Sequence, residues 1–228
     1  MCIRDRLHAV AQSAAAFGFR RVIEAGCSEE RRGPLRALKK ASEELPEADS
    51  FRAILGEAVS GALSGRDDGL GPAIEAVEEA LIETSLSTPT VLLLDDAQWT
   101  DEHTIAMLRL ITERATRGGH GRLLVVVAAR EMATPSPALR AFIGQVERDV
   151  GTGATRVVLA PLDALVAAKV VQSVAPVAPR VETALVQGAA GAPFLLVQPL
   201  LTWHELGALV WAEGLWDARA AEDLERAP

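Results

Sequence analysis

Long hydrophobic runs are missing from this chain: the longest, Leu123 to Ala129, is seven residues, against the roughly 20 that cross a bilayer. No membrane span is expected. Cysteine is scarce. Cys2 and Cys27 cannot build a disulfide framework, and no Cys/His spacing matches a zinc site, so a cytoplasmic protein is expected. Lysine is scarcer than arginine: there are three, Lys39, Lys40 and Lys169, and none follows a glycine. That excludes a G-x-x-x-x-G-K-S/T phosphate loop within these residues. Serine nucleophile elbows and dinucleotide fingerprints are absent too. Met1–Arg6 has neither the apolar stretch nor the small-residue cleavage site of a signal peptide. Positive charge is in deficit, with 23 Lys plus Arg against 31 Asp plus Glu and a net charge of −8. Such a balance repels a phosphate backbone, so direct nucleic-acid binding by this chain is not expected. Tyrosine is absent and aromatics are 4%, a compositional fact with no bearing on mechanism.

What is present is the composition of a folded protein: 228 residues, 49% hydrophobic and 24% charged, long enough to bury a sizeable core. Leu7, Val10, Ala11, Ala14 and Phe17 fall at helical spacing before Gly18, a natural helix stop. Arg21 to Ala25 reads as a short strand. Helices are expected over Leu35–Leu45, Phe51–Leu63 and Ala73–Leu86, the last with Pro72 at its first position and a loop over 65–69 before it. Val91 to Leu94 is an apolar run bounded by Pro89 and Asp95-Asp96, which suits a parallel strand buried on both faces. Thr100 or Asp101 can cap the next helix, which carries Ile105, Leu108 and Ile111 on one face and ends at Gly118-Gly119. Leu123–Ala129 reads as a second buried strand, Ala138–Val146 as a helix, and Val157–Leu159 as a third short strand. This alternation predicts an α/β domain with a parallel sheet. After Pro161 the pattern becomes helical: Asp163 to Val174, Val181 to Gln187, and Phe194 to Leu206 before Gly207. Leu209–Trp211 and Leu215-Trp216 around Ala212-Glu213-Gly214 then signal a β-hairpin, with Trp203, Trp211 and Trp216 packed under it.

The strongest chemical signal is Leu92-Leu93-Leu94-Asp95-Asp96-Ala97-Gln98-Trp99-Thr100-Asp101. Ligands of a parallel sheet bind beyond the carboxyl ends of its strands. An apolar strand delivering two carboxylates there can hold Mg²⁺ with one and polarise water with the other, which is a phosphoryl-transfer arrangement. The plainer alternative is that Asp95 and Asp96 break the strand and cap a helix. Arg130 closes the next strand and would emerge at the same edge, where a guanidinium can meet a γ-phosphate or simply pair with Glu131. Gln98 can orient a water or serve as an ordinary loop residue. Trp99 suits packing. Gly191-Ala192-Pro193-Phe194 is a Gly/Pro helix junction. His8, His103, His120 and His204 lie apart in sequence and receive no role.

Taken together these segments resemble the ATPase module of the STAND class of P-loop proteins, the AAA-like signal-transducing ATPases with numerous domains, as in large ATP-binding regulators of the LuxR type. Leu92–Asp101 matches the Walker B segment with its paired Asp and Gln-Trp-x-Asp ending, and Leu123–Arg130 is similar to the sensor strand with its terminal Arg. Val157-Val158-Leu159-Ala160-Pro161-Leu162 resembles the strand and Pro-Leu turn that enter the helical lid. Gly191–Phe194 is similar to the lid's Gly-Asn-Pro-Phe motif, with Ala192 in place of Asn. Leu7–Cys27 resembles the helix and strand that follow the phosphate loop, down to the turn Gly26-Cys27-Ser28-Glu29.

The resemblance implies an incomplete P-loop core over residues 1–160, a helical lid over 161–207, and a winged-helix-like hairpin opening a further domain over 208–228. Asp95 is then the Mg²⁺ ligand, Asp96 the catalytic base, and Arg130, Gly191 and Pro193 the nucleotide contacts. Pro193 would abut the adenine. The intact parent would bind ATP with Mg²⁺, hydrolyse it slowly, and control a downstream effector or DNA-binding domain in transcription or signalling. The resemblance begins just after the phosphate loop, so the chain reads as truncated there, with Met1–Arg6 an incidental start. In this class the phosphate-loop strand lies between the strand near Val157 and the strand near Leu124, so a gap in the sheet and poor solubility are expected. The alternative is a non-enzymatic interaction scaffold that no longer binds nucleotide.

Overall fold

The computed structural model describes residues 3–30, 33–46, 49–63, 70–118, 121–130, 136–150, 153–220 and Leu224. The chain divides into two compact units, Arg6–Arg156 and Val157–Pro228, the start of the chain up to Asp5 being grouped with the latter.

In the first unit, helix α1 (Ile3–Ser13) runs into a 3-10 turn that ends at Gly18, whose φ of 84° provides the left-handed stop that glycine adopts without strain. Strand β1 (Arg21–Gly26) is followed by helices α2 (Arg36–Glu43), α3 (Ser50–Leu63) and α4 (Leu70–Ser87). Helix α4 begins two residues before Pro72, so the proline sits at its third position, not its first. All of these positions lack an intrahelical acceptor and tolerate a missing N–H. The expected loop at 65–69 lies outside the described residues. Strand β2 (Thr90–Asp95), helix α5 (Glu102–Thr116), strand β3 (Leu123–Val127) and helix α6 (Pro137–Asp149) complete the unit.

The three strands form one parallel sheet in the order β1-β2-β3, with Ile23 beside Leu92 and Leu92 beside Val125. Alternation sorts their side chains onto two faces. Ile23, Ala25, Leu92 and Leu94, with Val125 and Val127 at their side, join a core with Leu38, Phe51, Leu55, Leu81, Met107, Leu108, Leu139 and Phe142 from α2 to α6. On the opposite face, Val91 and Leu124 share an apolar, open cavity of about 490 Å³ with Ala9, Val10, Ser13, Ala14, Phe17 and Phe19 of α1 and the residues after it.

The ladder also has a parity. Thr90 N–H donates to Arg122 O, Ala128 N–H to Leu94 O, and Ala97 N–H to Ala128 O, so the even-numbered residues of β3 spend their main-chain groups on β2. Leu123, Val125 and Val127 therefore turn theirs to the outer edge, which no described strand covers. The expected third strand, Val157–Leu159, is not one: the segment is irregular, and Val157 and Val158 are 72% and 65% exposed. The reason is physical. A β-branched run becomes a strand only when a neighbour pairs with it, and among the described residues none does.

In the second unit, α7 (Ala164–Val174) is capped by Asp163, whose carboxylate accepts from Val166 N–H at 2.8 Å. Helices α8 (Pro179–Ala189) and α9 (Pro193–Glu205) follow, then the antiparallel hairpin β4 (Leu209–Ala212) and β5 (Leu215–Ala218). Glu213 and Gly214 both have positive φ, 53° and 82°, as a two-residue turn matched to strand twist requires. Val171, Val181, Leu185, Leu196, Leu200 and Trp203 form the core with Leu209 and Ala218. Trp203 lies under the hairpin as expected. Trp211 does not: it is 55% exposed, edge-on to Trp216, which in turn meets the His204 ring edge-on at 5.1 Å.

Candidate functional site

Strand β2 is the middle strand and is buried along its length, so its carboxyl end is where the sheet can present a polar residue without exposing the core. Asp95 is the last residue of that strand, and its Oδ1 accepts the Asp96 N–H at 2.9 Å. Asp96 adopts the left-handed conformation, φ 51° and ψ 40°, which an aspartate tolerates better than most residues. The backbone turns sharply there into the 3-10 turn Ala97–Trp99. Ala97 N–H then donates to Ala128 O at 2.9 Å, which ties this turn to the end of β3.

The turn brings Asp96, Gln98 and Arg130 together. Gln98 Nε2 donates to Asp96 Oδ1 at 2.9 Å, while Gln98 Oε1 accepts the Arg130 N–H at 3.1 Å. Arg130 Nε lies 3.4 Å from the same Asp96 oxygen. One amide side chain thus bridges two strand ends. Arg130 is mostly exposed, so its ion pair with Asp96 adds little to stability and leaves the guanidinium free to swing.

Asp101 resolves the choice of helix cap. Its Oδ1 accepts from the N–H groups of His103 and Thr104, each at 3.0 Å, and its Oδ2 accepts the Thr104 hydroxyl at 2.6 Å. The same carboxylate accepts Leu35 N–H at 3.3 Å, which joins the start of α5 to the start of α2. Cys27 follows β1, with its N–H donating to Asp95 O. Burial pushes its thiol up to about 11; a hydrogen bond with Thr100 pulls the other way, and the nearby Asp101, Asp96 and Asp95 add to the rise.

Mg²⁺ commonly takes one or two carboxylates, with water and phosphate oxygens as its other ligands. Among the described residues no three His, Cys, Asp or Glu side chains converge to hold a metal ion. The described residues therefore do not form an all-protein metal cage. Nor do these residues include the glycine-rich, lysine-bearing loop that would cradle phosphates.

Gly191 and Pro193 belong to the second unit. Gly191 has φ 79°, and a Cβ there would lie 2.6 Å from Leu162 O and 2.7 Å from Pro161 Cβ, so the position demands glycine. Leu162 N–H donates to Gly191 O at 2.9 Å. The two segments singled out in sequence, Val157–Leu162 and Gly191–Phe194, are thus in direct contact. Pro193 is the first residue of α9. Ala192, its N-cap, has no side chain to accept from the helix, the service an Asn there would perform. No protein-family model matches the chain, and no curated protein shows significant similarity to it.

Proposed function

We propose that the chain is part of an ATP-binding regulatory switch, an α/β core with a helical lid that controls a downstream effector or DNA-binding domain. The observation that carries this reading is the network at the sheet's carboxyl end, where Asp95 and Asp96 leave the central strand and Gln98 links Asp96 to Arg130. In this reading Asp95 holds Mg²⁺, which when bound neutralises phosphate charge. Asp96 takes a proton from water, Gln98 sets its orientation, and Arg130 answers the charge of the terminal phosphate. Gly191 and Pro193 shape the adenine contact on the helical unit. The contact between Leu162 and Gly191 supports that assignment, because it sets the start of α9 against the segment that leads into α7.

The reading requires a phosphate loop that these 228 residues do not contain. Without its lysine, two carboxylates would face a triphosphate unaided. The chain alone is therefore expected not to bind Mg-ATP tightly. Calorimetry tests the proposal on a longer chain that adds the loop and its strand: Mg-dependent ATP binding that weakens in Asp95→Ala supports it, and no binding refutes it. A non-enzymatic scaffold is the second reading, favoured by the uncovered edge of β3. Tight, cooperative folding of the 228 residues together with no nucleotide binding by the longer chain would establish it.

A further inference from the structure

We infer that the uncovered edge of β3 is a self-association surface, on which a second copy of this chain adds its own β3 antiparallel about a two-fold axis through Val125. The parity of the ladder leaves the N–H and C=O groups of Leu123, Val125 and Val127 facing outward. In the two-fold register Val125 meets Val125 of the other copy and Leu123 meets Val127, so every outward group finds a complement. Charge selects this edge and this occupant. Among the described residues the sheet has two open edges, and β1 carries the exposed Glu24 at its middle. Pairing β1 with itself there would set carboxylate against carboxylate, the usual defence of an edge strand. Strand β3 has no charged residue and no proline between Leu123 and Ala129, and in the register above Arg122 falls opposite Ala128 rather than another cation. The face is continuous as well. A two-fold axis normal to the sheet keeps like faces together, so the 40% exposed Leu124 meets Val126 of the other copy, and the apolar cavity that Leu124 shares with Val10 and Phe17 runs on across the axis.

A five-residue edge is short for a standard interface of roughly 800 Å² per partner, so the association is expected to be weak and concentration-dependent. A net charge of −8 on each copy opposes it, so salt should strengthen it. The test is sedimentation and light scattering of the 228-residue chain from about 200 to about 2 µM, with amide hydrogen exchange read at each concentration. The mass should fall from twice 24.2 kDa to 24.2 kDa on dilution. The amides of Leu123, Val125 and Val127 should exchange at least about tenfold more slowly in the dimer. Those of Leu124 and Val126, bonded to β2, should not change. Leu124→Lys, which leaves the ladder intact, should raise the dissociation constant at least about tenfold. So should Val125→Pro, which removes an outward N–H while keeping an apolar group toward the core. Leu206→Lys, in the other unit at a position 72% exposed, should have no effect. Four results would overturn the inference: a monomer at every concentration, equal effects of Leu206→Lys and Leu124→Lys, mass that grows without limit as head-to-tail pairing of β3 with β1 would give, or odd-numbered amides already protected in the monomer. None of these readouts depends on nucleotide: the ATP reading would set the phosphate-loop strand on this same edge in a longer chain, so the association is read on the 228 residues alone and nucleotide binding on the longer chain.

Discussion

Two adjacent carboxylates stand at one strand end, and the roles proposed for them can be tested separately. Asp95 accepts a hydrogen bond from its neighbour's backbone, and Asp96 accepts one from a side-chain amide and lies beside an exposed guanidinium. In a longer chain with the phosphate loop, Asp96→Asn should keep nucleotide binding and abolish turnover, while Asp95→Ala should lose the Mg-dependent part of binding. Equal loss of binding in both would contradict this division, as read by calorimetry beside a phosphate-release assay. Cys27 makes a second test. Its thiol is raised from 9.0 to about 11, so the protonated form is favoured in the fold. The stability it contributes is full below pH 9.0 and lost as pH rises through about 11. With Cys2 replaced by Ser, alkylation of the native protein should stay slow at pH 9 and quicken steeply only as pH nears 11, whereas the unfolded chain should react freely at pH 9.

Between elements, the contact of most consequence lies where α4 meets α5. Glu78 is buried on α4 and its carboxylate lies 2.8 Å from Arg114 Nε on α5. Burial still holds the Glu78 carboxyl above its ordinary range, against the pull of Arg114 and helped by Glu79 and Glu75. Its contribution to stability is thus full below pH 4.5 and declines as pH rises through the raised value. Glu78→Gln should flatten that decline and leave the protein as stable or more so at neutral pH, because Arg114 is half in water and is not stranded. Arg114→Ala leaves the buried carboxylate alone and should cost about 1 to 3 kcal/mol at pH 7, measured by urea unfolding. The elements themselves are largely legible in sequence, because β2 and β3 are unbroken apolar runs and the helices show their period and caps, but the burial expected of β3 is only partial, since it is an edge strand with Leu124 exposed. Val157–Leu159 was not, since its composition is that of a strand but strandhood belongs to pairs. The cap of α5 was undecided for a similar reason: Thr100 and Asp101 both suit it, and the contact that distinguishes Asp101 comes from Leu35, far away in the chain. The Asp96–Gln98–Arg130 network was half visible. Its members stood out singly, but their meeting depends on the left-handed turn at Asp96.

At the scale of the whole molecule, the two faces of the parallel sheet are covered unequally among the described residues. One face of the sheet is thickly covered by α2 to α6, and the other holds an open apolar cavity beside α1. Adding the phosphate-loop strand in a longer chain should occupy the β3 edge and abolish concentration-dependent association, seen by light scattering. The exposed stretch from Thr155 to Ala160 has a different consequence, which concerns proteases. A protease binds its substrate as an extended strand and needs a length of backbone that is not already hydrogen-bonded in the fold. The stretch here is exposed and outside regular secondary structure, it separates two units with their own cores, and Arg156 stands in it with 57% of its side chain exposed and its guanidinium 3.3 Å from Glu147. Brief digestion with trypsin should therefore cut after Arg156 before most other basic residues and release two fragments that persist. Mass spectrometry would show the 157–228 piece resisting further cleavage at Arg180, which lies in the first turn of α8 rather than in an extended stretch.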